Sequence, residues 1–245
     1  MEILFIVILG FLMGLITSIS GGAGVFAVPT MLAFGVPPVG ALALNRISDV
    51  GVVLGAISNF WKAKTIDWKL GMKIIPFLAA GSFVGANIVV NLEEKSLRTF
   101  IVIGVVIGML FLFKPARPFV TEKGAGGRKK MFGFLLMLVV GVWSGALAMA
   151  GATFALLVLV YCFGNKYVEA RSTEIFAAIP ETLISAFILV SAATVDYLWL
   201  IAMFVSSFAG AVLGSHLAVK KGDGLVKKGI VLIGILMIAK IIFQF

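Results

Sequence analysis

The sequence predicts an all-α polytopic membrane protein built from two inverted-topology repeats, each a re-entrant helical hairpin followed by three transmembrane helices. Three observations carry that prediction. The 245 residues are 61% hydrophobic and only 13% charged, with a mean hydropathy of +1.16, far outside the composition of soluble domains. A single offset of 129 residues brings the two halves into register, as a duplication would. Two apolar stretches carry glycine breaks where a single spanning helix has no use for them, the first being "SISGGAGVFAVP" at 18–29.

Composition also removes several functions. The net charge of +9 resides in Lys and Arg of short loops between apolar runs, the positive-inside pattern of a membrane protein, so no nucleic-acid partner is expected. Cys162 and His216 are each the only residue of their kind. No disulfide, metal set or cofactor is therefore expected. With no nucleophile–base pair in view, the chain does not read as an enzyme. The opening "MEILFIVILGFLMGLITSIS" carries Glu2 where a signal peptide would be basic, and a similar segment recurs mid-chain, so it reads as mature structure.

The repeat places Gly22 and Ala23 on Gly151 and Ala152, Gly35 on Gly164, Val39 on Val168 and Ala41 on Ala170. Further on, "IDW" at 66–68 falls on "VDY" at 195–197, and Ala80, Gly81 and Gly85 fall on Ala209, Gly210 and Gly214. This divides the chain into a first membrane repeat, 1–113, a linker, 114–130, and a second repeat, 131–245. Six basic residues against one Glu put the linker in the cytoplasm. The loop near 62–69 carries Lys62, Lys64 and Lys69, but its counterpart at 191–198 has no Lys or Arg; the near-neutral loop at 91–98 matches 220–227, which has three Lys. Equivalent loops thus fall on opposite faces, so the repeats are inverted.

Lys166 and Arg171 put the 164–171 loop inside, so residues 131–163 begin and end on the cytoplasmic face. At 33 residues they are too few for two crossings of about 20 each. A hairpin turning near Gly151 satisfies both facts, and the repeat implies the same for 3–34, turning at "SGGAG". Full spans are expected at 40–61, 69–90, 97–113, 168–190, 196–218 and 229–245, with both termini outside and the chain in the cell membrane.

Backbone broken at membrane depth is tolerated where it lines a polar cavity. The helix after each turn begins with unpaired N–H donors and a partial positive charge, which attract anions, and paired broken helices in inverted halves mark a transporter's binding site. Gly21, Gly22, Gly24 and Gly151 are read as turn residues; Gly10, Gly14, Gly81, Gly85, Gly210 and Gly214 are read as close-packing positions. Ser20 and Thr153 flank the turns and offer hydroxyls to an oxyanion or a helix cap. The following spans carry Asn45, aligned with Glu174, and Glu181 seven residues further on the same helical face. Arg46 has three readings: snorkelling outward, pairing with Asp49 at i+3, or drawing in a substrate anion. Arg171 reads as an interfacial anchor paired with Glu174. Asp49 and Glu181 are candidate coupling groups, with satisfied buried acids as the alternative. Pro180 frees a backbone carbonyl beside Glu181. Trp61, Trp68, Tyr197 and Trp199 fall at span ends, as an aromatic belt does.

The run "GxxxGLITSISGGAGVFAVPTMLAFGVPPVGALALN", Gly10 to Asn45, resembles the TauE/SafE family of sulfite exporters and related anion transporters. The glycine-rich turn, Pro29, "GVPP" at 35–38, the "AxAxN" ending at Asn45, "TIDW" at 65–68 and the repeat from Gly141 all match, and the likeness covers essentially the whole chain. It implies transport of sulfite, sulfonates or related small organic anions, with protons or Na+ as the coupling ion. Leu44 stands where the family often has Thr, Arg46 where Lys is common, and Glu174 where a neutral polar or basic residue is usual. An acid at 174 weakens attraction for a dianion and points to a monoanion or a carboxylate-bearing sulfur compound. The expected substrate-binding set is Ser20, Gly21, Gly22, Ala23, Gly24, Asn45, Arg46, Gly151, Ala152, Thr153 and Glu174. Two functions follow: a secondary anion transporter working by alternating access, and, as the alternative, a channel-like or accessory membrane subunit.

Overall fold

A computed structural model describes residues 2–113 and 126–229. The described elements are helices: α1 (Glu2–Ser20), α2 (Gly24–Ala33), α3 (Pro38–Lys62), α4 (Trp68–Val90), α5 (Glu94–Phe113), α6 (Gly127–Leu147), α7 (Gly151–Val158), α8 (Tyr167–Ala192) and α9 (Tyr197–Lys221). A π-helical turn, Leu159–Phe163, extends α7. The spans expected at 40–61, 69–90, 97–113, 168–190 and 196–218 correspond to α3, α4, α5, α8 and α9. The expected span at 229–245, the C-terminus and most of the linker lie outside the described residues. Six described helices are long and apolar enough to cross a bilayer: Ile3–Ser20 in α1, together with α3, α4, α6, α8 and α9.

Both glycine-marked stretches are helix–break–helix units that fold back. In the first, Gly21 and Gly22 hold φ of +77° and +78°, a left-handed conformation open to glycine without a Cβ clash. The chain then returns far enough for the rings of Phe5 and Phe34 to lie 4.4 Å apart. In the second, the rings of Phe134 and Phe163 stand 5.1 Å apart. The reversal expected near Gly151 falls just before it. Positive φ is held by Ala148 (+53°) and Ala150 (+57°), and Gly151 is the first residue of α7. Ala150, which the 129-residue offset pairs with Gly21, takes up the same backbone region without glycine's freedom. The arms are unequal. α1 and α6 have 19 and 21 residues, each about 30 Å long at roughly 1.5 Å per residue, whereas α2 has 10 and is about half that.

The halves interlock. The long arm α1 packs on α9 of the other half, and α6 on α4; α3 also packs on α9, and α8 on α4. Glycine makes these contacts close. A Cβ on Gly85 would come within 2.7 Å of the Ala146 amide, one on Gly141 within 2.6 Å of the Leu78 carbonyl, and one on Gly210 within 2.9 Å of the Leu15 amide. No side chain fits there without moving a helix, which agrees with the packing reading of Gly85 and Gly210. The outer face is apolar, with Leu4, Ile8, Phe187 and Leu213 exposed. Trp61, Trp68 and Tyr197 are exposed at the ends of α3, α4 and α9, where an interfacial belt belongs.

Candidate functional site

The two breaks abut. Thr153 Oγ1, in the first turn of α7, donates to the Ser20 carbonyl at the end of α1 at 3.1 Å. A Cβ on Gly21 would lie 2.7 Å from the Thr153 amide, so the backbones touch. On the other side, Asn45 of α3 donates from Nδ2 to the carbonyl of Ala148 in the second break. The same amide group crowds Gly24, where a Cβ would meet Asn45 Oδ1 at 2.7 Å and the Ala148 carbonyl at 2.6 Å. Asn45 therefore ties α3 to the second break, with the start of α2 packed against its amide, and Gly24 is required by close approach. The amides of Gly22, Ala23, Met149 and Ala150 donate to no acceptor among the described residues, as expected of helix entrances without side-chain caps.

Two arginines complete the junction, each reaching from one half to the broken helix of the other. Arg46, in α3, donates from Nη2 to the carbonyl of Ser144 and, at 3.1 Å, to its hydroxyl. These groups belong to the last turn of α6, where the helix dipole is negative; the Ser144 carbonyl also accepts the Ala148 amide at 2.8 Å, so the guanidinium is its second donor. Arg171, in α8, donates to the Ser18 carbonyl from Nε at 3.3 Å and to the Thr17 carbonyl from Nη2 at 2.6 Å, the same position on α1. Each arginine also meets acid. Arg46 Nη1 lies 3.3 Å from Asp49 Oδ2 and 3.4 Å from Glu181 Oε1, and Arg171 Nη1 pairs with Glu174 Oε2. Ser144 donates its hydroxyl to Glu181 Oε1, and the Ser82 hydroxyl of α4 bonds the Glu181 carbonyl at 3.0 Å. Both arginines are 1% exposed. Arg46 does not snorkel; its i+3 pairing with Asp49 is present, and Glu181 is a second partner. Arg171 keeps the expected Glu174 pairing but turns inward, so the interfacial-anchor expectation is corrected: its donors are taken up by carbonyls that only the opposite half supplies.

These groups surround a small central cavity of about 30 Å³ lined by Gly22, Gly24, Arg46, Asp49, Gly151, Ala152, Arg171, Glu174 and Glu181, with Thr17, Ser144 and Thr182 beside them. Of the residues proposed from sequence, Ser20, Gly21, Ala23, Asn45 and Thr153 stand behind this lining. Ser20 Oγ donates back to the Ile16 carbonyl at 3.3 Å, and Asn45 and Thr153 brace the two breaks. Buried Arg46 Nε and Asn45 Oδ1 have no hydrogen-bond partner among the described residues. Such orphaned polar groups are costly unless something meets them. Sequence reasoning left Ser144 and Thr17 out of the site. Thr17 enters through its backbone carbonyl, which no side-chain type announces, and Ser144 through both its carbonyl and its hydroxyl. Arg171 had a signal, an i+3 charge pair within an apolar helix. Among the described residues no cluster of His, Cys, Asp and Glu is arranged to hold a metal.

The profile of the family described as "Sulfite exporter TauE/SafE" matches residues 6–241. The probable membrane transporter protein YfcA of Escherichia coli K12 is 28% identical over 239 residues, covering 95% of this chain and 87% of that protein. A probable membrane transporter protein of Haemophilus influenzae is 25% identical over 254 residues, 100% of this chain and 95% of its own. YjnA of Bacillus subtilis, also a probable membrane transporter protein, is 22% identical over 231 residues, 87% of this chain and 89% of its own. No solved structure matches the chain.

Proposed function

The chain belongs to the sulfite exporter TauE/SafE family, a family of membrane transporters, and on that footing we propose that it is a secondary carrier of small anions. The cargo is sulfite, a sulfonate or a related organosulfur or carboxylate anion, moved by alternating access. The anion sits between the two helix breaks. Gly22, Ala23, Gly24, Gly151 and Ala152 supply amide donors there, Arg46 and Arg171 supply charge, and Asn45, Ser20 and Thr153 hold the breaks in place. One observation supports this above the rest: two buried arginines and two uncapped helix entrances converge on one cavity at the centre of an apolar protein, where such groups are expensive and functional by default.

In this reading the halves are inverted, both termini lie outside the cell membrane, and the two hairpins meet at mid-bilayer. The exchange of arginines between halves supports that symmetry, because each break is held by the partner repeat. Asp49, Glu181 and Glu174 face the same cavity and are the groups to which a coupling proton, or Na+, would answer. A cavity of only about 30 Å³ favours a carrier over an open pore. Counterflow in proteoliposomes tests this: unlabelled sulfite loaded inside should drive transient accumulation of labelled sulfite from outside. Flux that dissipates the label gradient without such an overshoot would indicate a channel-like subunit and refute the carrier.

A further inference from the structure

The buried charges do not balance, and the imbalance is local. Arg171 and Glu174 form one cation–anion pair. Arg46 faces two carboxylates, Asp49 and Glu181, through the same Nη1. Two cations thus meet three carboxylates, one formal negative charge in excess with every acid ionised. Around Glu181 the census is complete among the described residues. α3 brings Arg46 and Asp49; α8 itself brings Arg171 and Glu174; α6 and α4 bring only the hydroxyls of Ser144 and Ser82. An anion entering this site must compete with those carboxylates for Arg46, and would add a second uncompensated negative charge in a medium that tolerates none well.

We propose that the site takes up one proton together with each monoanion of cargo, with Glu181 as the group that receives it. The proton goes to Glu181 Oε2, which makes no hydrogen bond among the described residues, while Oε1 is held by Ser144 and Arg46. The carboxylate becomes neutral and releases Arg46. The guanidinium, whose Nε is already free and buried, then pairs with the anion. On release the proton leaves with the anion and Arg46 returns to Glu181. Empty and loaded forms carry the same charge, so transport is electroneutral proton–anion symport. Glu181 is preferred to Asp49 because it alone touches both Arg46 of the first half and the end of α6 in the second, whereas Asp49 is the i+3 neighbour of Arg46 on α3. This inference rests on the anion-carrier reading above.

The test uses the full chain in proteoliposomes with methanesulfonate, a monoanion too strongly acidic to carry a proton itself, and with sulfite run in parallel. The pH gradient and the membrane potential are set independently, the latter with potassium and valinomycin. One-to-one symport should give about tenfold accumulation of methanesulfonate per pH unit and no response to potential; an uncoupled monoanion carrier should give about tenfold per 59 mV and no response to pH. The second pattern overturns the proposal and leaves the carrier reading intact. Failure to transport either anion overturns both. Glu181→Gln keeps the size of the group but cannot titrate; whatever exchange it supports, it should lose pH-driven accumulation. Glu181→Asp should recover that accumulation. If Glu181→Gln still accumulates about tenfold per pH unit, Glu181 is not the proton acceptor.

Discussion

Arg171 is expected to be a structural hinge-pin of the first helix break, and its replacement should cost stability in a way that depends on Glu174. In Arg171→Met, the Glu174 carboxylate, 3% exposed, loses its cation. Stranding one partner of a buried pair costs about 3–5 kcal/mol. The Ser18 carbonyl loses its Arg171 bond, and the Thr17 carbonyl loses one of two donors and keeps the Gly21 amide, at about 1 kcal/mol for each bond lost. In the double variant Arg171→Met/Glu174→Gln the stranded charge disappears and only the lost hydrogen bonds remain. It should therefore be more stable than Arg171→Met by about 2 kcal/mol or more, a favourable coupling of the size contacting pairs show. Unfolding of the micellar protein followed by helical circular dichroism against SDS mole fraction measures all four members of the cycle. Additive losses, with the double variant as unstable as the sum of the singles, would mean that Arg171 is not committed to Glu174 inside the protein.

Three shorter expectations follow from the same contacts. Ala150→Gly should stabilise the protein by about 1 kcal/mol, because the residue holds φ +57°, where a Cβ costs roughly that much; a loss of stability in the same SDS titration would contradict the backbone assigned to the second break. Asn45→Ala removes the side chain that ties α3 to Ala148 and packs against the start of α2, so counterflow should fall much more than the about 1 kcal/mol that one hydrogen bond contributes to stability. Equal, small effects on both would reduce Asn45 to packing. Gly85→Leu should disrupt the seam between α4 and α6, since even a Cβ there would press on the backbone of α6, and overpacking costs about 1–3 kcal/mol or more; an unchanged midpoint would show that the two helices do not approach so closely.

The helical elements were legible because each leaves local marks. α3 starts at Pro38 after "GVP", α4 starts behind Asp67, whose side chain caps the Leu70 amide at 3.0 Å, and the first break is written in paired glycines. The second break was only half legible. Its positive-φ residues are alanines, Ala148 and Ala150, and alanine does not advertise that conformation. Of the site, the pairing of Arg46 with Asp49 and of Arg171 with Glu174 follows from i+3 spacing on a helix. The convergence of Glu174 and Glu181 follows from their seven-residue separation. The attachment of each arginine to a helix end in the other half was not readable, because it depends on carbonyls whose availability is decided by where a helix stops and what lies across the interface.

Equilibrium binding of radiolabelled sulfite to the purified protein, with Arg46→Gln alongside the parent chain, bears on the anion site itself. Arg46 is expected to supply at least one charge-assisted hydrogen bond to the bound ion. Affinity should therefore fall about tenfold or more in the variant, with methanesulfonate competing for the parent's site and the variant remaining helical and monodisperse. Sulfite bound equally well with and without the Arg46 guanidinium would place the anion somewhere other than the junction of the two breaks.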